Sequence, residues 1–258
     1  MKTRKLSCIL ITNKNSWVSE PIIEELFSEN SIELKSVIFY SAKKNWKLIK
    51  KRLLQYGFSK FFWKMVDVLK NKSTFIISNK NKSSVKTSFQ NVKFNNIPFE
   101  ISTDLNSIDT INFINKLNPD VVLVCSCSQI FKAPFLQNNE ITFLNFHDSL
   151  LPLHKGPSPS FWVLFNEEKE TGYTIHRIVE KIDAGEIIFQ EKVKVENVFT
   201  EEELIVKVVK QASKRIVEIL LNLRANKFEI DLNLKSSYER LPTLKQRKQL
   251  LKNLKSIK

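Results

Sequence analysis

Apolar and polar positions change their spacing several times along this chain. Leu6 to Thr12 is short and rich in Ile and Leu, the pattern of a buried strand. Pro21 to Phe27 predicts a helix, with proline at an early position and Glu24 and Glu25 in the first turn. Glu33 to Tyr40 alternates toward a second strand, and this β-α-β opening predicts a parallel sheet. From Trp46 to Leu69 the texture differs. Leu53, Leu54, Phe58, Phe61, Phe62, Met65 and Leu69 recur at helical spacing among Lys and Arg, with a break at Gly57. That predicts either an inserted helical pair packed on the core or an interfacial, membrane-touching face. Asn71 to Asn96, rich in Lys, Asn and Ser, reads as loop.

Regular patterning resumes with a strand at Pro98 to Ser102, a helix over Ile108 to Leu117 ending before Pro119, and a fully apolar strand at Val121 to Cys125. A short helix at Lys132 to Leu136 and strands at Thr142 to Phe146, Thr171 to Val179 and Ile187 to Val195 follow. Glu201 to Leu223 predicts a long amphipathic helix. The expected fold class is therefore α/β, a mostly parallel sheet flanked by helices. The expected organisation is one domain over residues 1–225, carrying a basic helical insert and loop at 43–96, with a basic C-terminal extension at 226–258.

At 258 residues and 42% hydrophobic, the chain can bury a sizeable core. The best apolar run, Val121 to Cys127, is far shorter than the ~20 residues of a membrane-spanning helix. The basic Met1–Lys5 start followed by Leu6–Thr12 has no small-residue cleavage site after it, so it reads as a first strand rather than a targeting segment. Cys8, Cys125 and Cys127 are too few for a disulfide framework, and a cytoplasmic location is expected. The net charge of +14 is concentrated: Lys43 to Lys72 contributes +9 and Leu241 to Lys258 contributes +6, leaving about −1 on the rest. Two basic segments on a near-neutral body suit phosphates, nucleic acid or anionic lipid.

Scarce residues mark where chemistry gathers. Of four glycines, Gly156, Gly172 and Gly185 fall within thirty residues, and His147, His154 and His176, the three histidines of the chain, share that region. The strand Thr142–Phe146 runs into Asn145-Phe146-His147, and residues two apart on an extended segment point to one side. In a parallel sheet, ligands bind beyond the strands' carboxyl ends. Pro152 to Pro159 holds three prolines and a glycine, which makes a stiff wall. Ile182-Asp183-Ala184-Gly185 puts an acid on a turn. There is no Gly-x-Ser-x-Gly elbow, no Gly-x-Gly-x-x-Gly and no P-loop, so nucleophilic serine, nicotinamide and nucleoside-triphosphate chemistry lose ground. A metal site of His147, Asp148 and His154 matches no metal-ligand spacing. Asn and protonated His donate toward a developing oxyanion, and Asp can orient the His or move a proton. The set suits direct acyl transfer to an amine.

Asn145-x-His147-x-Ser149-Leu150-Leu151-Pro152 with Gly156, then Thr171-Gly172-Tyr173-Thr174-Ile175-His176, then Asp183-Ala184-Gly185, resemble the folate-dependent formyltransferase family. The resemblance is clear from about Asn118 to Leu223 and weak over the first hundred residues. It implies a Rossmann-like formyltransferase fold, 10-formyltetrahydrofolate as co-substrate, no metal, and Asn145, His147 and Asp183 as the catalytic group. In that scheme Asn145 bonds the formyl oxygen, His147 stabilises the oxyanion, and Asp183 helps remove the amine's proton. It further implies a pterin pocket lined by Gln129, Ile130 and Phe131, by Ser149, Leu150, Leu151 and Pro152, and by Val179 and Glu180. His154 and His176 are expected to be structural or peripheral. Asp148 departs from the small residue or proline that family members often carry, and Cys125–Gln129 lacks a glycine common near there.

Within the family, glycinamide ribonucleotide enzymes cradle a phosphate in a Gly- and Ser-rich turn after the first strand, whereas Thr12–Trp17 has no glycine. Methionyl-tRNA formyltransferases carry a sizeable C-terminal domain, for which the ~35 residues after the long helix are too few. The expected acceptor is therefore a primary amine on an amino-sugar nucleotide, a phosphate-bearing small molecule. The alternatives are a methionyl-tRNA formyltransferase-like enzyme, or a non-catalytic protein of this fold that binds nucleic acid or a membrane surface through its basic segments.

Overall fold

The computed structural model describes residues 4–14, 16–42, 97–223 and 234–256. The helical insert expected at 46–69 and the loop expected at 71–96 lie outside the described residues.

Seven strands form one sheet: β1 (Leu6–Asn13), β2 (Ile32–Tyr40), β3 (Phe99–Ser102), β4 (Val121–Cys125), β5 (Thr142–His147), β6 (Glu170–Arg177) and β7 (Ile187–Lys194), in the order β3-β2-β1-β4-β5-β6-β7. The strands from β3 to β5 are parallel, while β6 and β7 join antiparallel. The order first runs outward from β1 to β3 and then restarts on the other side at β4, so a topological switch point lies between β1 and β4. This is the α/β, mostly parallel architecture the patterning predicts.

Among the described residues the helices are α1 (Glu20–Ser28), α2 (Ile108–Leu117), α3 (Ala133–Leu136), α4 (Pro159–Phe165), α5 (Glu201–Leu221) and α6 (Leu244–Ser256). In β1, Cys8 to Ile11 are fully buried, and β4 is buried along its whole length, so both sheet faces are covered. Ile9 and Ile11 join Ile38, Ile114, Val122, Val124, Phe131, Phe135 and Phe143 in one cluster. Each such buried aliphatic contributes about 1.5–3 kcal/mol from apolar burial. On α5, Leu204, Val208, Val209, Ala212, Ile216, Ile219 and Leu220 are buried, and this helix packs against α1. Its start is a capping box, with Thr200 accepting from the Glu203 N–H and the Glu203 carboxylate accepting from the Phe199 N–H.

Two helices were not anticipated. In α4, six of seven residues are buried, so it shows no amphipathic period and is too short to betray itself by length. Helix α6 opens on a Thr243…Gln246 capping box in which each side chain bonds the other residue's N–H. The chain divides into two compact units, one of residues 1–42 and 92–240, the other of 43–91 and 241–258. Residues 234–240 fall in the first unit with the sheet. Among the described residues no helix is long and apolar enough to cross a membrane.

Candidate active site

β5 carries the centre of the site because its carboxyl end, paired with β4 as far as Phe146, also meets antiparallel β6. Asn145 lies opposite His176 and His147 opposite Thr174. Cross-strand neighbours on one face interact, and here the pair is polar. The Asn145 amide lies 3.0 Å from His176 Nε2. His176 Nδ1–H donates to the Arg177 carbonyl at 2.9 Å, so in the neutral ring Nε2 carries the lone pair and accepts from Asn145 Nδ2–H. Burial, reinforced by the charge of neighbouring His147, pushes His176 down to about 4 against the opposing hydrogen bond to Arg177 and the charge of Asp183.

His147 is buried, and its Nε2–H donates to the His154 carbonyl at 3.0 Å. Its Nδ1 faces Asp183 Oδ2 at 3.8 Å, too far for a direct hydrogen bond. The other oxygen of Asp183 lies 3.7 Å from His176 Nε2. Asp183 sits on a turn in the left-handed region, φ 47°, which Asp tolerates better than most residues. Two glycines hold it there. The Gly156 N–H, at φ 95°, donates to Asp183 Oδ2 at 2.8 Å. A Cβ at Gly185 would collide with the Arg177 carbonyl, so the turn bearing Asp183 can close onto β6 through glycine alone. Asn145, His147 and Asp183 are thus brought together, and His176 joins them. The signal that would have found His176 is the antiparallel return of β6, which sets residue 176 opposite residue 145.

The residues expected around a pterin divide into two sets. Ile130 and Val179 are exposed, as is Ile182 nearby. Glu180 accepts from the Ala133 N–H at the start of α3. Gln129 is tied to the 104–105 turn, accepting from the Leu105 N–H and donating to Asp104. Phe131 is buried in the core, its ring 4.6 Å from that of Phe135. Its side chain belongs to the core cluster. Ser149, Leu150 and Leu151 are likewise buried: Ser149 donates to the Leu153 carbonyl, Leu150 packs on Gly172, and the Leu151 N–H donates to Thr174. Pro152 follows a cis peptide and is half-buried.

The candidate metal set does not converge. His147 is turned to a backbone carbonyl, His154 Nε2 pairs with Glu168 at 3.0 Å, and Asp148 accepts from Ser160 Oγ at 2.9 Å in the first turn of α4. Asp148 lies just past the end of β5, where its carboxylate is engaged by Ser160. At the switch point, three backbone donors at and after the end of β1 have protein partners: Asn13 N–H to Ser126, Lys14 N–H to Tyr40 and Ser16 N–H to Asn13. Ser16 Oγ donates to Ser126 Oγ at 2.8 Å.

Residues 7–220 match the family model described as formyl transferase. Over 118 residues the chain is 36% identical to the bifunctional polymyxin resistance protein ArnA of Wigglesworthia glossinidia brevipalpis, covering 44% of this chain and 18% of that protein. Over 100 residues it is 35% identical to the methionyl-tRNA formyltransferase of Thermotoga maritima, covering 39% and 32% respectively. The chain therefore spans a third or less of these two curated relatives. Among solved structures, a phosphoribosylglycinamide formyltransferase from Anaplasma phagocytophilum superposes with TM-score 0.58 at 17% identity, covering 92% of this chain and all of that one. A sugar N-formyltransferase from a Shewanella species superposes with TM-score 0.57 at 17% identity, covering 95% and 87%. These structures share the fold.

Proposed function

Because the chain belongs to the formyl transferase family, we propose that it moves a formyl group from 10-formyltetrahydrofolate to the primary amine of an amino-sugar nucleotide. The observation that carries this reading is the convergence of Asn145, His147 and Asp183 at the carboxyl end of β5.

The folate supplies an activated formyl group, and the site's residues fit such a donor. Exposed Ile130, Val179 and Ile182 offer apolar contact to a flat ring, while Asn145 and, once protonated, His147 can donate to the formyl oxygen. Asn145 commits one Nδ2 hydrogen to His176 and keeps the second for that oxygen. His147, its Nε2–H engaged by the His154 carbonyl, presents Nδ1 to the reacting centre and, when protonated, donates there as negative charge develops. Asp183 lies within a water's reach of Nδ1 and accepts the proton lost by the attacking amine, directly or through that water. The gap of 3.8 Å between His147 Nδ1 and Asp183 leaves both groups available to substrate instead of locking them onto each other.

The choice of acceptor is supported by the turn after β1. Its N–H groups at residues 13, 14 and 16 already have protein partners, which disfavours a phosphate cradled there. The sugar N-formyltransferase likeness favours an amino sugar, whereas the methionyl-tRNA formyltransferase likeness and the lysines of α6 favour tRNA. Tetrahydrofolate release, measured with amino-sugar nucleotides, methionyl-tRNA and glycinamide ribonucleotide as acceptors, separates these readings. Turnover with an amino-sugar nucleotide and neither of the others is expected. Turnover with methionyl-tRNA alone would overturn the acceptor while leaving the reaction class in place.

A further inference from the structure

His154 takes no part in the chemistry just described, yet it is held from every side. Its side chain is buried at 4% exposure, and its backbone sits in the left-handed region at φ 53°, which residues with a Cβ rarely adopt. Its Nε2–H donates to both oxygens of Glu168, at 3.0 and 3.1 Å. Its Nδ1 is buried without a hydrogen bond, and Glu239 Oε1 stands 3.8 Å away. Its own N–H donates to Ser237 Oγ at 2.7 Å. Burial would raise the Glu168 carboxyl, but the hydrogen bond and charge of His154, with help from Asn166, hold it below the usual glutamate range.

These anchors fix one atom of consequence, the His154 carbonyl oxygen, which accepts from His147 Nε2. A carbonyl cannot donate, so that contact keeps a proton on Nε2 in both charge states of His147. The lone pair of the neutral ring is thereby placed on Nδ1, the nitrogen that faces Asp183. A carbonyl at φ 53° would not hold this direction by itself. It is braced by Glu168, from the segment leading into β6, and by residues 237–239. There Ser237 N–H donates to the Pro152 carbonyl, Lys155 N–H to Ser237 and Glu239 N–H to Lys155.

We propose that His154, clamped between Glu168 and Glu239, is a positioning residue that selects the tautomer of His147 and so commits Nδ1 to the reacting centre. This role rests on the formyl-transfer reading for its purpose but not for its geometry. The charged or titratable groups facing the pair are Glu168 and Glu239 around His154, and Asp183 and His176 around His147, with Lys155 acting on His176.

The test is two-bond ¹H–¹⁵N correlation on the full chain labelled with ¹⁵N-histidine, the His147 signals being assigned by their loss in His147→Gln. At pH values where His147 is neutral, the wild type is expected to show the Nε2–H form. Glu168→Ala and His154→Asn are each expected to populate the Nδ1–H form. They should also lower kcat about tenfold through misplacement of the ring, with KM for the amine little changed. Glu168→Gln keeps an acceptor for the His154 N–H and is expected to restore the wild-type tautomer. The double variant should be no worse than either single one, since the two residues act as a unit. Should His154→Asn fail to fold, Glu168→Ala carries the same test, because that carboxylate is 30% exposed and its loss is tolerable. Folded variants with unchanged circular dichroism in which His147 stays wholly in the Nε2–H form would overturn the proposal. The tautomer reading stands even if no acceptor turns over, so it separates this inference from the proposed reaction.

Discussion

Asn145 and His176 share a proton arrangement that depends on His176 staying neutral. Its Nε2 lone pair receives the Asn145 amide, and a proton placed there would confront donor with donor. The shift of His176 to about 4 preserves the arrangement across the physiological range. The sign for stability follows. Below about pH 6.5 the unfolded chain takes up a proton that the folded one refuses, so this group destabilises the fold progressively between pH ~6.5 and ~4 and is silent above that window. Thermal midpoints are expected to fall across that window, and His176→Gln should flatten part of the decline. A ¹H NMR titration of His176 with a midpoint near its unperturbed value would contradict the account. Loss of a single oxyanion donor in Asn145→Ala is expected to cost about 10²–10³-fold in kcat. His147→Ala should cost about 10²–10⁴-fold, as removal of a group that transfers or holds a proton does. Steady-state kinetics on folded variants check both.

Elements matter here chiefly for where they end. β5 ends at His147, β6 returns antiparallel, and the turn between β6 and β7 brings Asp183 back over both. Gly185 permits that turn, since any Cβ there meets the Arg177 carbonyl. Gly185→Ala is therefore expected to fold with reduced stability and to lose activity far out of proportion, because Asp183 moves with the turn. Activity equal to wild type would show that Asp183 does not need this position. Helix α5 offers a control remote from the chemistry. Thr200→Ala removes its cap and should cost about 1 kcal/mol in a urea melt, with kcat unchanged. The strands and the longest helix were legible in the sequence because apolar spacing and turn residues agreed, as at Leu6–Asn13 and Glu201–Leu221, whereas α6 was missed. Helix α4 was hidden because burial on all sides erased its period. Asn145, His147 and Asp183 stood out by residue type and by motif. His154 and His176 did not, since their roles depend on a cross-strand register and on a segment some eighty residues away, neither of which has a local signature.

For the molecule as a whole, the sheet and the match over residues 7–220 place the chain in the formyl transferase family. The first compact unit holds every residue assigned a chemical role, including the 234–240 segment that braces His154. The second unit contributes α6, on which exposed Lys245, Lys248 and Lys252 follow helical spacing along one face. The central claim is that Asn145, His147 and Asp183 together transfer a formyl group to an amine. The most direct measurement follows carbon-labelled formyl from 10-formyltetrahydrofolate onto an amino-sugar nucleotide, with wild type beside His147→Ala and Asp183→Asn. Label appearing as an amide in the wild type and falling at least about a hundredfold in both variants is the predicted result. Equal labelling in wild type and in the two folded variants would contradict it.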